Sequence, residues 1–459
     1  LICLWGLFDP RGWFFANLGL LVLFMYARRR SRFQVPWMLE TFPILSITYF
    51  ILSAYWKRDE IFSPYEQNNA ALLSVLWLST IANFGFSFTC LFVVHRMAPK
   101  EQPFVTAPPE RSIPKRLLIQ MYVVGAILNS FVRFVVGGEF RVAVISFGQM
   151  EIVALLIFIY QCLAESPGFR PAQVKWPLVG VAFWFLREAA NTLFGGPVTT
   201  LLLAAPLFAR YVKPWVVTAG ICFGLVFVPL IQGVKKEVRA SAIEETYSKK
   251  EAESIPRVFA KNVDKIIIQG DWNAYKKGFD EFADRVYLTG ILLRIKDNMD
   301  LRQNFAHGKT LEYSIFWNFV PRAVYPDKPV TGGSSDLARE YGGMMVEPGT
   351  SVGVGPISEF YVNFGSTGAV VWMILMGAFY GWIIGFLFKQ PIQPLGYVYV
   401  ALAFVAVIRP EMNLADSFGG AIRALFIWFF LRLYISRRMR EREVQAAKAA
   451  PPPDFQQPA

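Results

Sequence analysis

Trp13-Phe14-Phe15-Ala16-Asn17-Leu18-Gly19-Leu20-Leu21-Val22-Leu23-Phe24-Met25-Tyr26-Ala27 is followed at once by Arg28-Arg29-Arg30-Ser31-Arg32. An apolar run ended by clustered guanidinium groups reads as a membrane helix and its cytoplasmic stop signal. Outward from it, apolar stretches recur at 38 to 56, 70 to 94, 117 to 136, 141 to 164, 176 to 194, 197 to 210, 214 to 234, 368 to 388, 396 to 408 and 417 to 436. Each approaches the roughly 20 residues that a helix needs to cross hydrocarbon, although 197 to 210 is short and reads equally as a re-entrant segment. A hydrophobic share of 54% exceeds that of a soluble domain, which places the chain in lipid. The expectation is an all-α polytopic membrane protein with about 11 transmembrane helices and one large external loop domain. Its divisions are an N-terminal helix bundle at 1–234, the external loop at 235–367, C-terminal transmembrane helices at 368–440 and a disordered cytoplasmic tail at 441–459.

The net charge of +12 raises the question of nucleic-acid binding, and its distribution answers it. With Arg28 to Arg32 cytoplasmic, alternation puts Arg96, Lys100, Arg111, Lys115, Arg116, Arg170, Lys175, Lys213, Lys389, Arg437, Arg438, Arg440 and Arg442 on that same side. The long gap from 235 to 362 carries 18 basic and 18 acidic residues and is neutral. The positive excess therefore follows membrane topology, and no nucleic-acid partner is expected. The four cysteines show no CxxC spacing, and the two histidines, His95 and His307, are far apart, so no metal site is expected.

Within the external gap, Lys235 to Glu253 reads as a solvated helix and Val258 to Leu301 as an amphipathic one, with Phe279, Phe282, Val286, Leu288 and Ile291-Leu292-Leu293 on its apolar face and Arg285 and Arg294 beside it. Prolines and glycines make 302 to 367 irregular. Ionisable residues also fall inside or beside apolar spans: Glu40, Arg133, Glu151, Arg187, Glu188, Arg409, Glu411 and Arg423. Burying such groups costs about 2.5 to 3.5 kcal/mol each, so they face a cavity or one another. Two readings stand side by side. One is interhelical ion pairing, for example Arg133 with Glu151. The other is a collar of Arg133, Arg187, Arg409 and Arg423 in the outer half of the membrane, suited to a lipid diphosphate.

Two further stretches carry chemistry. Val320-Pro321-Arg322-Ala323-Val324-Tyr325-Pro326-Asp327-Lys328-Pro329 holds fixed charges between rigid prolines, and Gly355-Pro356-Ile357-Ser358-Glu359-Phe360-Tyr361-Val362-Asn363-Phe364-Gly365 leads into an apolar segment from Gly368. Between them lies a loop with Gly332-Gly333-Ser334-Ser335 and Gly342-Gly343. Cations held beside a flexible loop at a membrane edge suit an anionic headgroup.

These stretches, with Arg285, Gly308 and Tyr313, resemble the oligosaccharide repeat-unit polymerases, the O-antigen polymerase (Wzy-type) family, over roughly 280 to 370. The resemblance implies a metal-independent, cofactor-free glycosyltransferase of GT-C-like architecture in the bacterial inner membrane, with the large loop periplasmic and the C-terminus cytoplasmic. It would transfer a glycan from one polyprenyl-diphosphate-linked oligosaccharide to the repeat unit on another. A chain-length regulator and a flippase of the same pathway are its implied partners, with membrane lipids. Cleaving a sugar diphosphate needs cations where charge develops, for which Arg322 and Lys328 come first, then Arg285 and Arg409. Glu359 is the expected base and His307 the second choice, and Tyr361, Asn363, Tyr325 and Tyr313 are the expected sugar contacts. The plainer readings are a surface ion pair of Arg322 or Lys328 with Asp327 or Glu359, and a structural role for a buried Glu359. A flippase of lipid-linked oligosaccharides and an O-antigen ligase-type transferase are the alternative functions.

Overall fold

The computed structural model describes residues 12–31, 39–56, 69–98, 112–132, 144, 146–166, 168–192, 195–208, 211, 261, 264–317, 320, 325, 333–346, 352–389, 393–405 and 407–449. Every regular element among them is helical. α1 (Gly12–Arg30) ends on the arginine run, and α2 (Thr41–Ser46) continues through π-helical Ile47–Leu52 into Ser53–Trp56. α3 (Asn69–Met97), α4 (Lys115–Ile127), α5 (Met150–Leu163), α6 (Lys175–Thr192) and α7 (Gly195–Ala204) complete the first half. α8 (Trp272–Val286), α9 (Leu288–Arg302), α10 (Lys309–Leu311, continued as π-helix over Glu312–Phe316) and α11 (Ser334–Glu340) follow. α12 (Gly355–Phe388), α13 (Gln393–Val405) and α14 (Leu414–Ala449) close the chain.

Among the described residues, four helical stretches are long and apolar enough to cross a membrane: Ala70–Met97, Ser146–Leu163, Gly355–Phe388 and Leu414–Glu441. Thr41–Leu52 and Leu395–Val405 are shorter apolar helices. α7 has ten residues, half of what a crossing requires. The expected span at 214 to 234, the solvated helix at 235 to 253 and Arg133 lie outside the described residues.

Apolar surface sorts the helices. α5 is buried around its whole circumference, as a helix apolar on every face must be, and α13 is buried along most of its length. α1 and α6 instead expose Phe15, Val22, Leu23, Trp176, Val179 and Leu186 on outer faces, which suits lipid rather than water. α3 and α12 run parallel and approach closely. Cβ atoms placed at Gly377 and Gly381 would meet the carbonyls of Phe86 at 2.3 Å and Cys90 at 2.7 Å, and one at Gly385 would meet Met97 Cβ at 2.4 Å. Small residues four apart let helix backbones pack where no hydrophobic force drives association. α1 runs parallel to α3 too, through Trp13 against Trp77, Asn17 bonded to Thr80, and Phe24 against Phe88. Arg28–Arg30, Arg96 and Lys389 thus gather at one end of the bundle. Phe50, Thr289, Gly355 and Leu414 gather at the other, where the Thr289 hydroxyl donates to the Phe50 carbonyl.

Three boundaries differ from expectation. The segment before Gly368 is helical from Gly355, because Pro356 sits in the first turn, where its missing N–H costs nothing. The stretch 302 to 367 is less irregular than its prolines suggest, since α10 and α11 fold between them. At the other terminus the tail expected to be disordered from 441 stays helical to Ala449. Arg437 and Arg438 both pair with Glu441 there, and no proline intervenes before Pro451.

Candidate functional site

α12 is not a continuous helix. Gly365 adopts φ 68° and ψ −167°, a region open essentially to glycine alone, and divides a short polar leading segment from the apolar body. Trp372 bridges the break by stacking on Phe360 at 5.9 Å and Phe364 at 5.7 Å. In the leading segment Ser358, Glu359, Tyr361 and Asn363 are all buried. Polar groups buried at a membrane edge need partners.

Glu359 finds them on two other elements. Its Oε1 accepts from Ser314 Oγ at 2.8 Å, and its Oε2 accepts from the Leu414 N–H at 2.9 Å. Leu414 is the first residue of α14, so the carboxylate sits against that helix's positive end while Asn413 Oδ1 caps it through the Asp416 N–H at 2.7 Å. Asn363, one turn on from Glu359, donates to Thr310 Oγ1 at 2.6 Å and to the Glu359 carbonyl at 2.7 Å, and its Oδ1 accepts from the Gly308 N–H at 2.9 Å. α12, α10 and the start of α14 are thereby tied into one polar knot. The loop into α10 bends sharply enough to need left-handed backbone at Gln303, His307 and Gly308. Ser358 Oγ and Glu411 Oε2, both buried, have no hydrogen-bond partner among the described residues.

The other expected residues distribute around this knot. His307 is exposed on the α10 approach, three residues before Thr310 but turned to solvent. Tyr361 donates to Asp300 Oδ1 at 2.5 Å, and Asp300 also accepts from Lys296. Burial pushes the Asp300 carboxyl up, but those two hydrogen bonds outweigh it and hold it below its ordinary value. Arg409, in the turn joining α13 to α14, is half-buried and bonded to Glu411 through Nε at 2.9 Å and Nη2 at 2.7 Å. Tyr325 is exposed and stacks on Trp317 at 5.3 Å. The α8 backbone carries Arg285 and the π-helical turn after α10 carries Tyr313, but the side chains of both lie outside what is described, as do Arg322 and Lys328 entirely. Arg294 points to solvent on α9 rather than joining its apolar face.

The collar of arginines resolves differently. Glu151, buried on α5, takes Arg187 Nη1 at 3.2 Å and Nη2 at 2.5 Å, with Asn129 at 3.3 Å. Glu40 likewise pairs with Arg28. Ion pairing between helices involves both carboxylates, and among the described residues Arg187 is the cation paired with Glu151. Asp416 and Arg423, two turns apart on α14, lie within Coulombic reach of each other, and Arg409 is near enough to act on Asp416.

Sequence reasoning passed over Thr310, Ser314, Asn413 and Trp317. Asn413 was legible: an Asn three residues before an Asp, ahead of an apolar run, is a helix-start signal. The Ser314 contact has no such local mark, because it joins residues 45 apart.

Neither a curated protein nor a solved structure matches the chain. Residues 108–387, more than half of its length and inclusive of α4 through nearly all of α12, match a domain of unknown function, and the chain belongs to that family, DUF8712.

Proposed function

We propose that this chain is a membrane glycosyltransferase that polymerises polyprenyl-diphosphate-linked oligosaccharide repeat units at the periplasmic face of a bacterial inner membrane. The observation carrying the proposal is the broken, polar start of α12: Ser358, Glu359 and Asn363 are buried where a membrane-length helix begins. Non-helical backbone and buried ionisable groups at such a position mark functional sites. The Pro321-Arg322 to Pro329 stretch precedes this helix in the sequence, and Trp317 and Tyr325 form an aromatic stack of the kind that suits a sugar face. In the reaction, an acceptor hydroxyl attacks the anomeric carbon of the donor glycan, the bond from that carbon to the diphosphate oxygen breaks, and polyprenyl diphosphate departs with the electron pair. Arg322 and Lys328 offset the charge that develops on the diphosphate, with Arg285 and Arg409 behind them. Glu359 or His307 takes the hydroxyl proton. Polymerase and ligase chemistry would use the same groups.

One observation favours a second reading. Discontinuous helices flanked by buried polar groups also build the substrate sites of transporters, which suits a flippase of lipid-linked oligosaccharides. The chain reconstituted in proteoliposomes with lipid-linked repeat units separates the two. A polymerase lengthens the glycan, and Arg322→Ala abolishes lengthening while leaving the protein inserted. Movement of single units across the bilayer without lengthening would replace the polymerase reading by the flippase.

A further inference from the structure

We propose that a groove between α1 and α3, at the bundle end marked by Arg28-Arg29-Arg30, binds the phosphate and proximal acyl chain of an anionic phospholipid. The groove has a volume of about 260 Å³. Arg30, Ser31 and His95 form its polar part and Ala27, Phe88 and Phe92 its main apolar part, and none of the described residues lining it is acidic. The two parts are separated along the helices. Phe88 and His95 are seven residues apart on α3, about 10 Å of helix rise, so the charged lip lies at the helix ends and the apolar wall lies deeper. A free anion would use only the lip, whereas a phospholipid standing along the helix axes uses both.

The neighbouring cations favour this occupant. Arg28 is held by Glu40, which leaves Arg30 as the member of the run that lines the groove. The Arg30 guanidinium lies over the Tyr26 ring at 4.8 Å, and that of Arg96 lies over Phe92 at 5.3 Å, so both charges are steadied near the lip by aromatic faces. Phe92 is 57% exposed, an apolar surface available to a chain. Basic pockets between membrane helices are suited to anionic headgroups.

The test is titration of the purified full-length chain in detergent with dioleoyl phosphatidylglycerol or dioleoyl phosphatidylcholine, with bound lipid counted by native mass spectrometry. One phosphatidylglycerol should be retained per chain in preference to phosphatidylcholine. Arg30→Gln, at an exposed position, should weaken it about five-fold, the effect of one basic group near a lipid surface. Phe92→Ala should weaken both lipids. Arg437→Gln changes the net charge equally on the exposed end of α14 and should leave binding unchanged. Equal retention of the two lipids, matched losses in Arg30→Gln and Arg437→Gln, or no loss in Phe92→Ala would overturn the proposal. So would displacement of the lipid by glycerol phosphate at similar concentration, since that identifies a soluble anion site.

Discussion

Replacing Glu359 separates architecture from chemistry at the polar start of α12. Glu359→Ala removes the acceptor of the Leu414 N–H and of the Ser314 hydroxyl, both in buried surroundings. Hydrogen bonds to a charged group contribute about 1.5 to 3 kcal/mol each, so the loss is about 3 to 6 kcal/mol if both contacts are made in full. Hydrogen bonds between membrane helices average nearer 0.6 kcal/mol, because the unfolded chain in lipid finds other partners. The backbone N–H at a helix start has fewer alternatives, which favours the larger figure. Glu359→Gln keeps a carbonyl for the Leu414 N–H and presents an amide that the Ser314 hydroxyl can turn to accept. Its cost is the difference between charged and neutral hydrogen bonds, about 1 to 2 kcal/mol in total.

Unfolding of the detergent-solubilised protein by sodium dodecyl sulfate, followed by circular dichroism, measures both variants. An Ala variant within about 0.5 kcal/mol of the parent, inside the range of ordinary surface substitutions, would refute the capping argument. The same pair of variants bears on the reaction. A Gln variant that stays folded yet extends no glycan assigns the carboxylate to proton transfer, while a Gln variant with full activity leaves Glu359 as the tie between α12, α10 and α14 and passes the proton to His307.

Arg187→Met should destabilise by about 3 to 5 kcal/mol by leaving the Glu151 carboxylate buried without this guanidinium, and adding Glu151→Leu should recover much of that loss; additive single effects in the double-mutant cycle would contradict the pairing. Gly365→Ala should cost about 1 to 3 kcal/mol of backbone strain, because its Cβ would meet only the Phe305 ring at 3.8 Å and the penalty is conformational; an unchanged unfolding midpoint would show that α12 is straight there. Because the Asp300 carboxyl is held below its ordinary value, its contribution is present above about pH 4 and fades as pH falls through the lowered value. Asp300→Asn should therefore flatten the acid limb of a stability-against-pH curve, and identical limbs for parent and variant would remove Asp300 from it.

What the sequence made legible was governed by local pattern. The apolar runs that fall among the described residues, the arginines closing α1 and the buried stripe through Val286, Leu288 and Leu292 each rest on neighbours within a few turns and lie in helices, although four stretches rather than about 11 reach membrane length there and the helix expected over Val258 to Leu301 is divided at Tyr287 between α8 and α9. Pro356 reads in the sequence as a break, with the apolar span starting at Gly368. Proline in a first turn and glycine in a rare backbone region instead start and interrupt one helix. Partners were harder to read. Arg133 and Arg187 are equivalent guanidinium groups by composition, and only the packing of α4, α5 and α6 brings Arg187 to Glu151. The knot at Glu359 depends on contacts to Ser314 and Leu414 that span 45 and 55 positions.

The break at Gly365 bears directly on function. An uninterrupted helix could carry the Glu359 to Asn363 turn at the same depth with any residue at 365, whereas the observed backbone there costs a residue with a Cβ about 1 to 3 kcal/mol and so demands glycine. Gly365 re-aims that turn, so that Asn363 reaches Thr310 and Gly308 while Trp372 closes the outer side against Phe360 and Phe364. The break is therefore held in place by a polar knot on one side and an aromatic stack on the other. Such over-determination fits the proposed polymerase site, which would have to keep its geometry while a bulky, charged lipid-linked substrate binds and leaves. If α12 had only to span the membrane, a variant that restores helical backbone at 365 would gain stability and keep its activity. If the break positions the reacting groups, the same change would reduce glycan extension with the protein still folded.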